Sequence, residues 1–384
     1  MVYQGNINLK IYSKTGMDFS NLYSASLFKI SDNQLDLTVP QIFSYGIFDY
    51  YKYNIPFEEA LDIAQWDNLR TFGDSVLLYE NHSETILVDH MVGQINHVVQ
   101  HCKINPNQIY VLLADELHVD SLLYELSLKN ILGVNVDYYN KWLMEIPIPL
   151  ESSTVTTKKF SAFSRRLDQD RLNLFFELVI EDLIKEFEYS FNNIDPYAHK
   201  THSLDQIRNM VSSEFEIHNG KLFSWIEGLP YRANGDPNYV DINSSSLTES
   251  ILSTDIHLII ETNFTPIQQH PIAWLTEKTW RAIACSKPFL LYSTPNALSY
   301  VRKCGYKTFS TCIDESYDTI LDNSQRRKAI VKEIKRISQL PHDEYLHLVN
   351  SCKSITEYNL QVLLSKKQKQ LSDKFKKLGI FKLN

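Results

Sequence analysis

The segment WLTEKTWRAIACSKPFLLYSTP, residues 274–295, joins a helix to a buried strand with almost no loop between them. In TEKTWRAIAC, Thr276 has the chemistry of an N-cap, and Trp280, Ile283 and Ala284 recur at helical spacing as an inward stripe. PFLLYS is an apolar run closed by turn residues, which predicts a strand. The helix opens with Glu277 and Lys278, and Arg281 follows one turn later. A glutamate in the first turn suits the positive end of the helix dipole. A lysine there is mildly unfavourable and points to a bound anion. Helices entered from strands with charged first turns are where α/β proteins hold ligands.

The same alternation extends outward on both sides. Downstream, Pro295 fits the first position of a helix NALSYVRKC, Gly305 fits its stop, and 322–377 is helical with an interruption near Pro341. Upstream, DIHLIIET (255–262) and KKFSAFS (158–164) are strand patterns, and DRLNLFFELVIEDLIKEF (170–187) is a periodic helix. Residues 219–250 look loop-rich, with NGK, GLP and NGDPN as turns. In the first half, TILVDH (85–90), QIYVLLAD (108–115) and GVNVDYY (133–139) predict strands. Helices VGQINHVVQHCK and SLLYELSLKNI separate them. Residues 145–158, rich in Pro, Ser and Thr, read as a linker. The expected fold is α/β, with two Rossmann-like domains, 1–150 and 151–384, facing a cleft and followed by C-terminal helices. A chain of 384 residues is too long for one ordinary core.

Hydrophobic content of 43% and charged content of 22% are those of a soluble globular protein. No window is apolar over a membrane-spanning length, and the opening VYQGNINLK has no signal-peptide core. Five scattered cysteines without zinc-like or thioredoxin-like spacing suit reduced thiols, and a cytoplasmic location is the expectation. Charge is uneven. Residues 1–150 carry 8 Lys and Arg against 18 Asp and Glu, leaving 30 against 28 for the remainder. Anions should therefore find the second half more welcoming.

There is no GxG and no GxxxxGK[ST], so phosphates cannot be cradled by a glycine loop. Charged side chains and helix starts must do that work. Ser164, Arg165 and Arg166 follow the strand KKFSAFS, and Arg171 lies one turn into the next helix. Arginine forks match phosphate oxygens, which favours Arg165 and Arg171, while Arg166 reads as surface charge. Glu261 and Thr262 end the strand IHLIIE; that carboxylate suits ribose hydroxyls or simply faces solvent. Asp168-Gln169-Asp170 spells DxD, a metal-binding signature, but its place just before a helix favours capping. His97 and His101 share a helix face without a third ligand, so no metal is expected.

The combination SxR…R, IIET and LTEKTWRAIACSKPFLLYSTPNALSYVRKCGYKTF resembles the donor domain of GT-B glycosyltransferases, in particular the α1,3-fucosyltransferase-like type and its phage- and virus-encoded relatives. The resemblance covers about residues 158–315. It implies a nucleoside diphosphate sugar as donor, with ribose bound by Glu277, diphosphate by Lys278, and a further contact from Arg165 or Arg171. No metal is required, since these cations carry the charge. Residues 1–150 match no family motif, so the catalytic base must be sought among strand-end carboxylates. Asp89, ending TILVD, is preferred over Asp115 and Glu116, ending IYVLLADE; helix capping is the competing role for each. The relatives suggest hydroxymethylated bases of phage DNA as the acceptor, ahead of a glycan or small molecule. The acidic first half opposes that choice, and a strip of Lys366, Lys367, Lys369, Lys374, Lys376 and Lys377 would favour it. A protein that binds nucleotide sugars without turnover is the alternative of another class.

Overall fold

A computed structural model describes residues 42–46, 61, 63–73, 75–81, 88–113, 118–138, 146–149, 156–195, 200–231, 245–264 and 275–377. The chain divides into two units, Met1–Met144 and Glu145–Asn384. The division falls a few residues before the boundary expected at 150.

In the first unit the order is β1 (Ile42–Gly46), α1 (Ile63–Thr71), β2 (Val76–Asn81), α2 (Val88–Gln100), β3 (Ile109–Leu113), α3 (His118–Leu128) and β4 (Asn135–Tyr138). The four strands lie side by side in chain order, all parallel. Leu77, Tyr79, Ile109 and Val111 of the sheet are buried with Met91, Val92, Ile95 and Val98 of α2 and Leu122 and Leu126 of α3. The Gln108 amide donates to the carbonyls of Leu69, Phe72 and Ser75 at 2.8, 2.9 and 2.9 Å, tying the turn after α1 to the start of β3. One expectation fails. Val88, Asp89 and His90 are helical, so TILVDH does not end as a strand and Asp89 occupies the second position of α2. The reason is periodic: Val88, Met91, Val92, Ile95 and Val98 continue one stripe at helical spacing. The strand that precedes α2 is VLLYEN.

The second unit contains β5 (Lys158–Ser164), α4 (Gln169–Ile180), β6 (Phe187–Phe191), the short pair β7 (Ile194–Asp195) and β8 (Lys200–Thr201), α5 (Leu204–Arg208), α6 (Asn219–Glu227), α7 (Ser245–Leu252) and β9 (Thr254–Ile260). It continues with α8 (Glu277–Ala284), β10 (Phe289–Tyr292), α9 (Ala297–Lys303), α10 (Asn323–Ser338), α11 (His342–Ser351) and α12 (Lys353–Lys377). The parallel sheet has the order β10-β9-β5-β6. The chain starts in the interior at β5, adds β6 on one side, then crosses to β9 and β10 on the other. The strand order therefore reverses between β5 and β9, and in open α/β sheets ligands lie outside the carboxyl ends at that place.

Three sequence expectations are corrected here. The helix predicted over 170–187 stops at Ile180, because Asp182 adopts a left-handed φ of 57° and FEYSF pairs as β6. NGK is no turn but the start of α6, whose Leu222, Trp225 and Ile226 are buried. The last helical region breaks at Cys352 as well as near Pro341. Gly305 has φ 86°, the left-handed stop expected after α9. The long helix α12 packs on α8 and returns to the beginning of the unit, where the Lys367 ammonium donates to the Ile146 carbonyl at 2.6 Å. Among the described residues no helix is long and apolar enough to cross a membrane.

Candidate functional site

The carboxyl ends of β5 and β9 bring together the groups singled out in the sequence. Ser164 closes β5, and its buried hydroxyl donates to the Arg166 carbonyl at 2.8 Å, shaping the turn that carries Arg165. Arg165 and Arg166 are half-buried. Across the reversal point, Glu261 follows β9, held in register by its N–H on the Tyr292 carbonyl at 3.0 Å.

Glu261 is fully buried, and its carboxylate is engaged from above by the start of α8. One oxygen accepts the Thr276 N–H at 3.0 Å and the Thr279 hydroxyl at 2.6 Å; the other accepts the Thr276 hydroxyl at 2.6 Å. Thr276 is also the local N-cap, accepting from the Lys278 N–H. A buried carboxylate is costly unless hydrogen-bonded, and a helix N-terminus is where its charge is favoured. Glu261 therefore faces neither solvent nor an open ligand space; it braces the helix.

Lys278 stands on this brace with its side chain 29% exposed. Its ammonium donates to the Thr276 hydroxyl at 2.9 Å and the Thr262 hydroxyl at 3.4 Å. It lies 3.1 Å from Glu277 Oε1 and 4.0 Å from Glu261 Oε2. Two carboxylates thus hold the cation where the sequence showed only one. Burial raises the Glu277 carboxyl, but the Lys278 ammonium and hydrogen bonds at the helix start more than offset it, leaving the group below its ordinary value. Glu277 is accordingly an ionised acceptor.

Arg171 occupies a different position from the one its sequence context suggested. It is only 2% exposed, pairs with Asp168, and donates to the Glu261 carbonyl at 2.8 Å. Its guanidinium also lies over the Phe264 ring, 5.5 Å from the centroid. Burial pulls it below its ordinary value and Asp168 works against that shift. With its donors committed to protein acceptors, Arg171 bridges β9 to α4 across the reversal point and offers no fork to a phosphate. Asp168 accepts the Arg171 N–H at 2.9 Å as the N-cap of α4, which accounts for the first aspartate of DxD. His97, in the last turn of α2, stacks on His101 just beyond the helix, with centroids 4.3 Å apart.

Sequence reasoning passed over three polar residues at the same edge. Asn192 follows β6, and its N–H meets the Ser164 carbonyl at 3.2 Å; its Oδ1 is buried without a hydrogen-bond partner. Ser293 and Thr294 follow β10, and their hydroxyls are likewise buried and unpartnered. Asn192 and the Ser293–Thr294 pair follow the two outer strands of the sheet, β6 and β10, so they mark two separate places along its carboxyl edge. Unsatisfied buried polar atoms are rare in folded proteins, and at the carboxyl edge of a parallel sheet a ligand would satisfy them. The residues of STP after a strand carried that signal. Asp115 and Glu116 lie outside the described residues, as do the side chains of Asp89, Lys374, Lys376 and Lys377.

No family model matches the chain, and no curated protein matches it. Among solved structures it is similar to the GtfA/B complex, with a TM-score of 0.40, 10% identity and 88% of this chain covered. It is also similar to a UDP-forming α,α-trehalose-phosphate synthase from Burkholderia xenovorans, with a TM-score of 0.43 at 10% identity over 88% of this chain. A third is the pneumococcal O-GlcNAc transferase GtfA in complex with UDP and GlcNAc, with a TM-score of 0.42 at 10% identity over 88% of this chain. The chain spans 59% of the GtfA/B chain, 75% of the synthase and 58% of the O-GlcNAc transferase.

Proposed function

We propose that this chain is a GT-B-type glycosyltransferase whose donor, a nucleoside diphosphate sugar, binds at the carboxyl edge of the second unit's sheet. The observation that carries the reading is Lys278: a half-buried ammonium at a helix start, braced by Glu261 and Glu277, beside the strand-order reversal. The resemblance of the TEKTW…PF block, which contains Glu277 and Lys278, to fucosyltransferase-like donor domains supports it.

In this mechanism an acceptor hydroxyl attacks the anomeric carbon, and the bond from that carbon to the diphosphate breaks. Lys278 and the amide dipoles of α8 neutralise the departing diphosphate, which removes the main barrier to its leaving. Arg165 supplies a second cation from the β5 turn. Glu277, held ionised, accepts the ribose hydroxyls. Asn192, Ser293 and Thr294 offer hydrogen bonds to the remaining polar groups of the donor. Glu261 and Arg171 position these groups without touching the substrate. The base that takes the acceptor proton is proposed among Asp89, Asp115 and Glu116 of the first unit.

A hydroxyl of a glycan or small molecule is the better acceptor. The lysine strip that would favour DNA is partly spent inside the protein: Lys367 is committed to the Ile146 carbonyl, and Lys366 lies 5.9 Å from the Tyr306 ring centroid. Residues 1–150 are also strongly acidic, and DNA affinity rests on neutralising phosphates. The test is thermal shift across a panel of nucleoside diphosphate sugars, then transfer assays by mass spectrometry with a glycan panel and hydroxymethylcytosine DNA. Stabilisation by one sugar nucleotide and transfer to a glycan supports the reading. Binding without turnover on any acceptor would make the chain a nucleotide-sugar-binding protein instead, and sugar on the DNA alone would reverse the acceptor assignment.

A further inference from the structure

Away from the donor site, the turn after α9 brings one cysteine against the joint between α11 and α12. Cys312 is half-buried, in a tight turn where its own N–H and that of Ile313 both donate to the Phe309 carbonyl at 2.8 Å. Its carbonyl takes a hydrogen bond from Arg336 at 3.3 Å. Cys352 is fully buried at the junction: its N–H reaches the Leu348 and Val349 carbonyls, and its own carbonyl accepts from Ile355 and Thr356. Both backbones are therefore fixed before any chemistry occurs. The Cys312 Sγ lies 3.3 Å from the Thr311 hydroxyl and 3.0 Å from that of Ser351, the residue before Cys352, and the Cys352 side chain is close enough to influence it.

We propose that Cys312 and Cys352 form a redox site, a thiol pair that closes to a disulfide with peroxide and reopens with a dithiol reductant. The roles are asymmetric. Cys312 is reachable, and hydrogen bonds from Ser351 and Thr311, with the influence of Cys352, outweigh the effect of burial and hold its thiol below the ordinary value. Cys352 is pushed up, chiefly by burial, and stays a thiol. Nucleophilic attack needs the thiolate, so Cys312 reacts first. Its thiolate attacks one peroxide oxygen, the O–O bond breaks, a sulfenic acid forms, and the hydroxide released takes up the proton that Cys312 lost on ionising to become water. The Cys352 sulfur then attacks Cys312 Sγ as its proton passes to the departing hydroxide, so its thiolate forms only in that step; the S–O bond breaks and a second water leaves. Two thiols and one hydrogen peroxide thus give one disulfide and two waters.

The disulfide would close a loop of about 40 residues, which restricts the unfolded chain and should raise the melting temperature by roughly 5–10 °C. The test uses the full chain, treated with hydrogen peroxide under native conditions, then denatured, alkylated and mapped by mass spectrometry. Two of the five thiols should be lost, with one cross-link joining the peptides of Cys312 and Cys352, and dithiothreitol should restore both. In Cys352→Ser, Cys312 should be trapped by dimedone as a sulfenic acid; in Cys312→Ser, Cys352 should stay unreacted. All five thiols surviving, a cross-link through another cysteine, or Cys312 oxidised while Cys352 still alkylates would overturn the proposal. The peptide map is made on the wild-type chain, so it decides the matter even where a variant fails to fold.

Discussion

Replacing Glu261 by glutamine separates a structural brace from a ligand contact. The carboxylate accepts three hydrogen bonds, at 3.0, 2.6 and 2.6 Å, from Thr276 and Thr279. An amide can keep the two on one oxygen but turns its NH2 toward the Thr276 hydroxyl, which already faces the Lys278 ammonium at 2.9 Å. Hydrogen bonds to a charged group contribute about 1.5–3 kcal/mol each and neutral ones about 0.5–1.5, so the change should cost about 2–4 kcal/mol. For a domain of this size that is a fall of roughly 5–12 °C in melting temperature. Differential scanning calorimetry measures it, and urea unfolding gives the free energy directly. Titration with a panel of nucleoside diphosphates supplies the second readout. Glu261→Gln should melt early and, well below its melting point, still bind. A variant with wild-type melting but no nucleotide affinity would show that the carboxylate meets the ligand, and the brace would be refuted.

Lys278→Ala removes a charge-assisted contact of about 1.5–3 kcal/mol and should weaken nucleoside diphosphate binding about 10- to 150-fold; unchanged affinity by titration calorimetry would remove Lys278 from the site. Among Asp89→Asn, Asp115→Asn and Glu116→Gln, one should cut turnover by about 10²–10⁴ while sparing donor affinity. Wild-type turnover in all three would move the base elsewhere. His257 is buried against Ser161 at 2.9 Å, and burial, aided by the Arg281 guanidinium, pushes it down to about 3. Below its ordinary value of 6.5 the unfolded chain takes a proton that the folded chain refuses, so stability is lost as pH falls from there toward about 3. The slope from this one group is about 1.4 kcal/mol per pH unit. His257→Gln should flatten the stability curve between about pH 6 and 4, and parallel curves for the two proteins would contradict the assignment.

The clearest parts of the fold in the sequence were those where period and punctuation agree. KKFSAFS matches β5 residue for residue, and Thr276 caps α8 as its hydroxyl and position predict. Short strands were harder: EDLIKEF reads as the tail of a helix until Asp182 turns the chain left-handed, and the strand FEYSF that begins at Phe187 carries no pattern of its own. The candidate site was legible in its members but not in their orientation. Whether a strand-end carboxylate meets a ligand or a helix depends on where Thr276 and Thr279 come to rest, and spacing along the chain carries no such vector. Arg171 is the same lesson. Its type suggested phosphate, while its burial against Phe264 and Glu261 reflects the crossing of α4 over the sheet.

The bond from Lys367 to the Ile146 carbonyl spans 221 residues of sequence. During translation at about 5–20 residues per second, Ile146 must wait roughly 10–45 s after leaving the ribosome for the side chain that ties it down. The face of α8 that α12 covers must wait in the same way, although β5, β9 and β10 have all been made. The second unit is therefore completed by its last helix, and a nascent chain halted before Lys367 would carry apolar surface for chaperones to find.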